Sequence, residues 1–439
     1  MRKQNMKAIM TYTNVLKVLG TWICVGGLIG GVVGSVTSFL LETNDYLGEV
    51  REANGWLIAL LPLGGIAVGF LYMRFGKSFL NNALHDSAEG NNLVIDGVHG
   101  KKKVLRRMGP IVYLGTFITV FLGGSTGREG AAIQMGGGVA EAANRWLKVK
   151  PADTLIMLMS GISAGFGAAF GTPITGAVFG MEMAALGKLK FEAVVPCLTA
   201  SFVGHYVTEE VWGVKHDTFI IQSLPELSMI TFSKVLLVSV IFGLLSIAYC
   251  QLRHGIQKLS ERLFKKSHIK RAFVGGLVIA GLTLLAGSQD YNGRGLDMLQ
   301  QAFKEDVPPF AFLAKLVFTA VTLGTGFVGG EAIPLFFMGA TLGNTLHHVM
   351  GLPMAFLAAL GLVAAFCGGA NTPIAAFLLA VEFFDGKGVE YFFVACVVSY
   401  IVSGHHGLWP AQAVYEPKSR LYQTAKGDTI GIIEQRKKG

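Results

Sequence analysis

From Ala332 to Val381 the chain runs 50 residues without Asp, Glu, Lys or Arg, and His347 and His348 are its only basic side chains. About 20 apolar residues cross a hydrocarbon layer, so this stretch alone holds at least two membrane segments. The pattern recurs along the chain: Val18–Leu41, Met108–Gly127 and Thr154–Met181 are uncharged over 24, 20 and 28 residues. Shorter uncharged runs are Trp56–Met73, Val235–Leu252, Ala272–Gln289 and Tyr391–Tyr415. The composition agrees, because only 15% of residues are charged, against about 25% in average soluble domains. The expectation is an all-α polytopic membrane protein with roughly ten or more segments, several of them short or broken. Val18–Leu41 is too long for a signal-peptide core and reads as a retained helix.

The net charge of +9 is gathered into four clusters between apolar runs: Arg2/Lys3/Lys7, Lys101–Lys103 with Arg106/Arg107, Arg262–Arg271, and Arg436–Lys438. Such clusters orient a membrane protein with its basic loops in the cytoplasm and are not a nucleic-acid footprint. Both termini are therefore expected in the cytoplasm of a cell whose inner (plasma) membrane holds the protein. Cys24, Cys197, Cys250, Cys367 and Cys396 lie in or beside apolar runs without CxxC spacing, which reads as core packing.

Two acidic residues break the pattern. Glu129, in Gly127-Arg128-Glu129-Gly130, and Glu331, in Gly329-Gly330-Glu331-Ala332-Ile333-Pro334, each open an apolar stretch after a glycine-rich break. A carboxylate in a bilayer marks an ion or proton pathway by default. The chain also repeats itself. Gly161–Glu182 and Gly361–Glu382 share Gly, Ala, Phe, Thr-Pro-Ile and a Glu nine residues after the Pro, at a shift of 200 residues. Two homologous halves, 10–208 and 228–415, followed by a short cytoplasmic tail, 416–439, are the expected organisation. Glycine- or proline-interrupted segments at matching places in paired halves point to a midplane transport site. Helix N-termini there bind anions through unsatisfied N–H groups and the helix dipole, without requiring Lys or Arg.

Gly127-Arg128-Glu129-Gly130, the Gly-Gly-x-x-x-Pro at Gly329–Pro334 and the late Thr-Pro helix starts together resemble the CLC chloride channels and transporters. The resemblance spans roughly residues 15–412. It implies two inverted-topology repeats, a homodimer, and Glu129 as the gating glutamate that carries the coupled proton. The departures resemble the fluoride-exporting CLC-F branch. Asn91, after Gly90, takes the place of a chloride-coordinating Ser. Glu182-Met183 lacks the internal proton glutamate, and the Gly-Gly motif gains Glu331. By this resemblance the anion is held by Gly90 and Asn91, by Gly127 and Arg128, and by Gly330, Ala332, Ile333 and Trp409. Ile333 stands where that branch often has Thr, and Trp409 where it has Tyr. Glu331 is expected to relay the proton or to support the anion site.

Fluoride is small and strongly hydrated, so stripping its water demands dense hydrogen-bond donors. The Asn91 amide supplies two N–H groups where a hydroxyl supplies one, and phenylalanine ring edges carry partial positive charge. The bland readings are an Arg128–Glu129 loop pair, Glu331 as a helix cap, and Asn91 as a turn residue. Glu182 and Glu382, recurring at helix ends, read as structural. Gly161-Ile162-Ser163-Ala164-Gly165 matches a nucleophile elbow, yet no strand precedes it. His347/His348 and His405/His406 read as interfacial or core, since neighbouring side chains on a helix diverge and no third ligand type lies close in sequence. The reading is a fluoride/proton antiporter with fluoride or chloride, protons and lipid as partners. It is not expected to be an enzyme and needs no nucleotide or metal cofactor. A chloride/proton exchanger or passive channel of the same fold is the rival.

Overall fold

The computed structural model describes residues 2–75, 90–265, 267–420 and 424–436. The polar stretch 76–89, which holds His85, Asp86 and Glu89, and the end of the last basic cluster lie outside them. In chain order the helices are α1 (Arg2–Ala53), α2 (Leu61–Phe75), α3 (Gly90–Val98), α4 (Met108–Phe121), α5 (Glu129–Leu147), α6 (Pro151–Phe170), α7 (Pro173–Glu182) and α8 (Val194–Tyr206). There follow α9 (Met229–Leu263), α10 (His268–Ala286), α11 (Leu296–Gln301), α12 (Ala311–Gly324), α13 (Ala332–Met350), α14 (Met354–Ala370), α15 (Pro373–Phe383), α16 (Val389–Val402) and α17 (Ile430–Arg436). Among the described residues, five spans are long and apolar enough to cross a membrane: Tyr12–Ala53, Gly55–Phe75, α6, α9 and α10. Five further apolar helices among them are only 10–17 residues long. The chain is a polytopic helical membrane protein, and the 50-residue run resolves into three helices, α13 to α15.

Local chemistry fixes where these helices break. At the end of α6, Gly171 turns left-handed (φ 72°), and Pro173 opens α7 at its first turn. Asn371 does the same after α14 (φ 59°), and Pro373 opens α15. A left-handed residue ends a helix by satisfying its last carbonyls, while proline suits a first turn that has no use for its missing N–H. The matched Thr-Pro motifs are thus matched breaks. Matched glycines set the packing on either side. A Cβ on Gly136 of α5 would lie 2.1 Å from the Gly161 carbonyl of α6, and one on Gly339 of α13 would lie 2.0 Å from the Gly361 carbonyl of α14. Only a residue without a side chain permits such backbone contact.

Glu182 and Glu382 are structural, as expected, and their role is reciprocal. Glu182, at the end of α7, accepts from the backbone N–H of Ile374 (3.1 Å) and Ala375 (2.8 Å) at the start of α15. Glu382, near the end of α15, accepts from Ile174 (2.9 Å) and Thr175 (2.7 Å) at the start of α7. Each carboxylate satisfies orphan donors of the other half and sits at the positive end of its dipole.

The tail is folded. Parallel β1 (Ala185–Leu186) and β2 (Ala413–Val414), then antiparallel β3 (Asp428–Thr429), make a small sheet that the sequence reading lacked. Leu186, Val414, Ile430 and Ile433 form its core. His99, beside the Lys101–Lys103 cluster, contacts the Ala184 carbonyl at 2.8 Å, so that cluster and the tail share a face. We predict that Glu382→Ala strips two N–H groups of a charged acceptor, at about 1.5–3 kcal/mol per hydrogen bond to a charged group. A lowered melting temperature in detergent checks this, and Glu182→Ala should behave alike.

Candidate functional site

Glu129 is the first residue of α5 and is 3% exposed. Its side chain folds back over its own helix start, where Oε2 accepts from the Arg128 backbone N–H at 3.0 Å. Gly127 and Gly330 close around it: a Cβ on Gly127 would lie 2.3 Å from Oε2, and one on Gly330 would lie 3.3 Å from it. These two glycines exchange backbone hydrogen bonds, Gly127 N to Gly330 O at 2.8 Å and Gly330 N to Gly127 O at 2.7 Å. The bridge is antiparallel and joins the two halves where α5 and α13 begin. A carboxylate at a helix N-terminus occupies the kind of place an anion prefers.

Asn91 and Glu331 gather on the far side of that bridge. Asn91, in the first turn of α3, is buried, and its Nδ2 would sit 3.3 Å from a Cβ on Gly130. Its Oδ1 and the Gln134 Oε1 are buried without a hydrogen-bond partner. Glu331 precedes α13 and is 7% exposed. It accepts from the Tyr249 hydroxyl at 3.1 Å and pairs with the Arg253 Nε at 3.0 Å. Asn91, Gln134, Arg253 and Glu331 line one cavity of about 50 Å³. Glu129 lines a separate one of about 20 Å³ with Phe170, His216 and Ile333. About 10–15 Å³ accommodates one water, so the second admits a single small species. His216, in the extended segment after α8, is held neutral, its pKa lowered by burial to about 4.

Two expectations change. The Arg128 guanidinium is engaged elsewhere: it pairs with Asp45 at 2.7 Å and donates to the Leu41 carbonyl at 2.6 Å, leaving only its backbone N–H for Glu129. Ile333, whose branched side chain has no donor, forms an apolar wall of the Glu129 chamber. Arg253 adds a buried arginine beside the site, salt-bridged to Glu331. Sequence reading missed Arg253 and Tyr249 because Arg253 ends the run Val235–Leu252 and looked like a boundary. Their spacing of four places both on one helix face, which was the available signal.

Gly90 opens α3 and Ala332 opens α13, so both supply first-turn N–H groups. Trp409 is buried, with its Nε1 lacking a partner, and stands edge-on to Phe179 at 6.0 Å. From Phe179 an aromatic chain passes through Phe366 (6.3 Å) and Phe336 (5.3 Å) to Phe170 (5.5 Å), which lines the Glu129 chamber. Ser163 sits inside α6, buried, and donates to the Ala177 carbonyl, so it is not a strand-to-helix elbow. The readings of the paired histidines diverge. His405 is buried, but the His347 and His348 rings lie side by side with a third ligand type, Asp306, against them, contrary to expectation.

Helix N-termini converging on a glycine bridge, with a buried gate-like carboxylate, define an anion-pathway membrane protein. The chain belongs to the voltage gated chloride channel family, whose profile matches residues 64–404. It is 38% identical over 412 residues to a chloride/fluoride channel protein of Pseudomonas syringae pv. tomato, covering 92% of this chain and 89% of that one. It is 26% identical to an H(+)/Cl(-) exchange transporter of Yersinia pestis, over 82% of this chain and 80% of the other. Among solved structures, a CLC-type fluoride/proton antiporter superposes with a TM-score of 0.85 at 29% identity, covering 91% of this chain and 98% of that one. A slow cyanobacterial Cl-/H+ antiporter shares the fold at a TM-score of 0.71 and 21% identity, over 88% and 93% of the chains.

We predict that Arg253→Met destabilises the protein, since losing one partner of a buried pair costs about 3–5 kcal/mol. Adding Glu331→Gln should recover most of the lost melting temperature. Equal melting temperatures of Arg253→Met and wild type would contradict the pairing.

Proposed function

We propose that the protein exports fluoride in exchange for protons, with Glu129 as gate and proton carrier. The observation that carries the reading is the Glu129 carboxylate lying over the start of α5, between Gly127 and Gly330, as a built-in anion. Ionised, it is attracted by the helix end and blocks the path. Protonated, it loses that attraction and yields the place to fluoride. Proton entry thereby drives fluoride exit. The Asn91 amide and the Trp409 indole N–H supply donors to a dehydrated fluoride, and first-turn N–H groups of α3, α5 and α13 supply the rest. Glu331 supports the anion site, a role its pairing with Arg253 and Tyr249 favours over proton relay.

The reading places the basic clusters and both termini in the cytoplasm, with the protein in the inner membrane as a homodimer. Its repeat halves are 10–208 and 228–415. What supports fluoride over chloride is the relative named for chloride and fluoride, the fluoride/proton antiporter at a TM-score of 0.85, and Asn91 in the Ser position.

Purified protein in liposomes tests this. Fluoride efflux should exceed chloride efflux at least tenfold and should acidify the interior. Glu129→Gln should abolish proton movement, and Asn91→Ser should narrow the fluoride preference at least tenfold. Faster chloride than fluoride flux defeats the fluoride assignment, and intact proton coupling in Glu129→Gln defeats the gate.

A further inference from the structure

His347 and His348 are consecutive in the last turn of α13, where an ordinary helix would splay them apart. Here their ring centroids are 3.9 Å apart. Both Nε2 atoms converge on one oxygen, Asp306 Oδ1, at 3.0 Å and 2.8 Å. All three ligand atoms fall within 4.8 Å of one another. Zinc bonds of about 2.0–2.2 Å to imidazole and carboxylate need ligand atoms only a few tenths of an ångström further apart than these contacts. The Asp306 and His348 side chains are 58% and 61% exposed, leaving room for water to complete a tetrahedral shell.

The loop that carries Asp306 is strapped to the same helix, independently of the histidines. Asn344 Oδ1 accepts from the Val307 N–H (3.2 Å), and its Nδ2 donates to the Ala302 and Glu305 carbonyls (both 2.9 Å). Thr345 Oγ1 donates to the Pro309 carbonyl at 3.1 Å. Asp306 is therefore held against the histidines before any ligand arrives, the preorganisation a metal site requires.

The location is informative. Lys234, near the start of α9, donates to the Met350 carbonyl at the end of α13. Further along α9, His254 has Glu434 of the tail as its electrostatic neighbour. The 20 residues from Lys234 to His254 (254 − 234) span about 30 Å at 1.5 Å per residue, so the cluster faces away from the tail. That face is the outer one in the proposed orientation.

We propose that His347, His348 and Asp306 form a binding site for a divalent transition-metal cation of the zinc type, on the face opposite the tail. A bound ion would replace the two His–Asp306 contacts with three metal–ligand bonds and staple the 302–310 loop to α13.

Titration calorimetry of tag-free protein in detergent with zinc chloride tests this, alongside thermal melting. One zinc per chain should bind in the micromolar range and raise the melting temperature. His348→Ala and Asp306→Asn should each weaken binding at least tenfold and remove the thermal shift. Magnesium should not compete, since it favours all-oxygen shells. Anion flux without zinc should match wild type in both variants, because none of the three residues lines the described cavities. No zinc binding to the wild type, unchanged affinity in both variants, or equal competition by magnesium would overturn the site.

Discussion

The antiparallel bridge between Gly127 and Gly330 is the contact on which the site depends. It brings the starts of α5 and α13, one from each half, within backbone hydrogen-bond distance. Side chains at those two positions would hold the strands apart and collide with the Glu129 carboxylate or the Gly130 N–H. With them absent, partial positive charge from two helix ends adds at one place, and α3 brings a third end with Asn91. The whole arrangement therefore attracts an anion before any full charge is considered. Arg253 then compensates the full charge of Glu331.

The two cavities differ in the polar groups they present. On the Glu129 side, Phe170, Phe219, Ile333 and Phe383 stand beside His216 and Asp217, while the Arg128 guanidinium is engaged by Asp45. On the Asn91 side, Gln134, Arg253, Gln257 and Arg271 supply side-chain N–H groups to the lining. The Glu129 carboxylate sits against the bridge itself, between the two.

Much of this was legible in the chain. Uncharged runs marked the helices, the Thr-Pro repeat marked the paired breaks, and two glutamates in apolar runs marked carboxylates that the fold buries beside cavities, because bilayers penalise charge strongly enough to write it into sequence. What escaped notice depends on three-dimensional pairing. Arg253 lay at the edge of a run and gained meaning only when Glu331 was found beside it. Arg128 adjoined Glu129 in sequence, yet its long side chain reached Asp45 instead. The tail strands are two residues each, too short for any alternation to announce them. His347 and His348 looked divergent because helical geometry separates neighbours, and Asp306 lies some forty positions away.

Glu182 and Glu382 make each half the custodian of the other's exposed amides. A newly made first half threaded into lipid alone would carry an acid with nothing to grip and a helix end with nothing covering it. Membrane interiors offer no solvent to fill that gap, so maturation of α7 must await synthesis of α15.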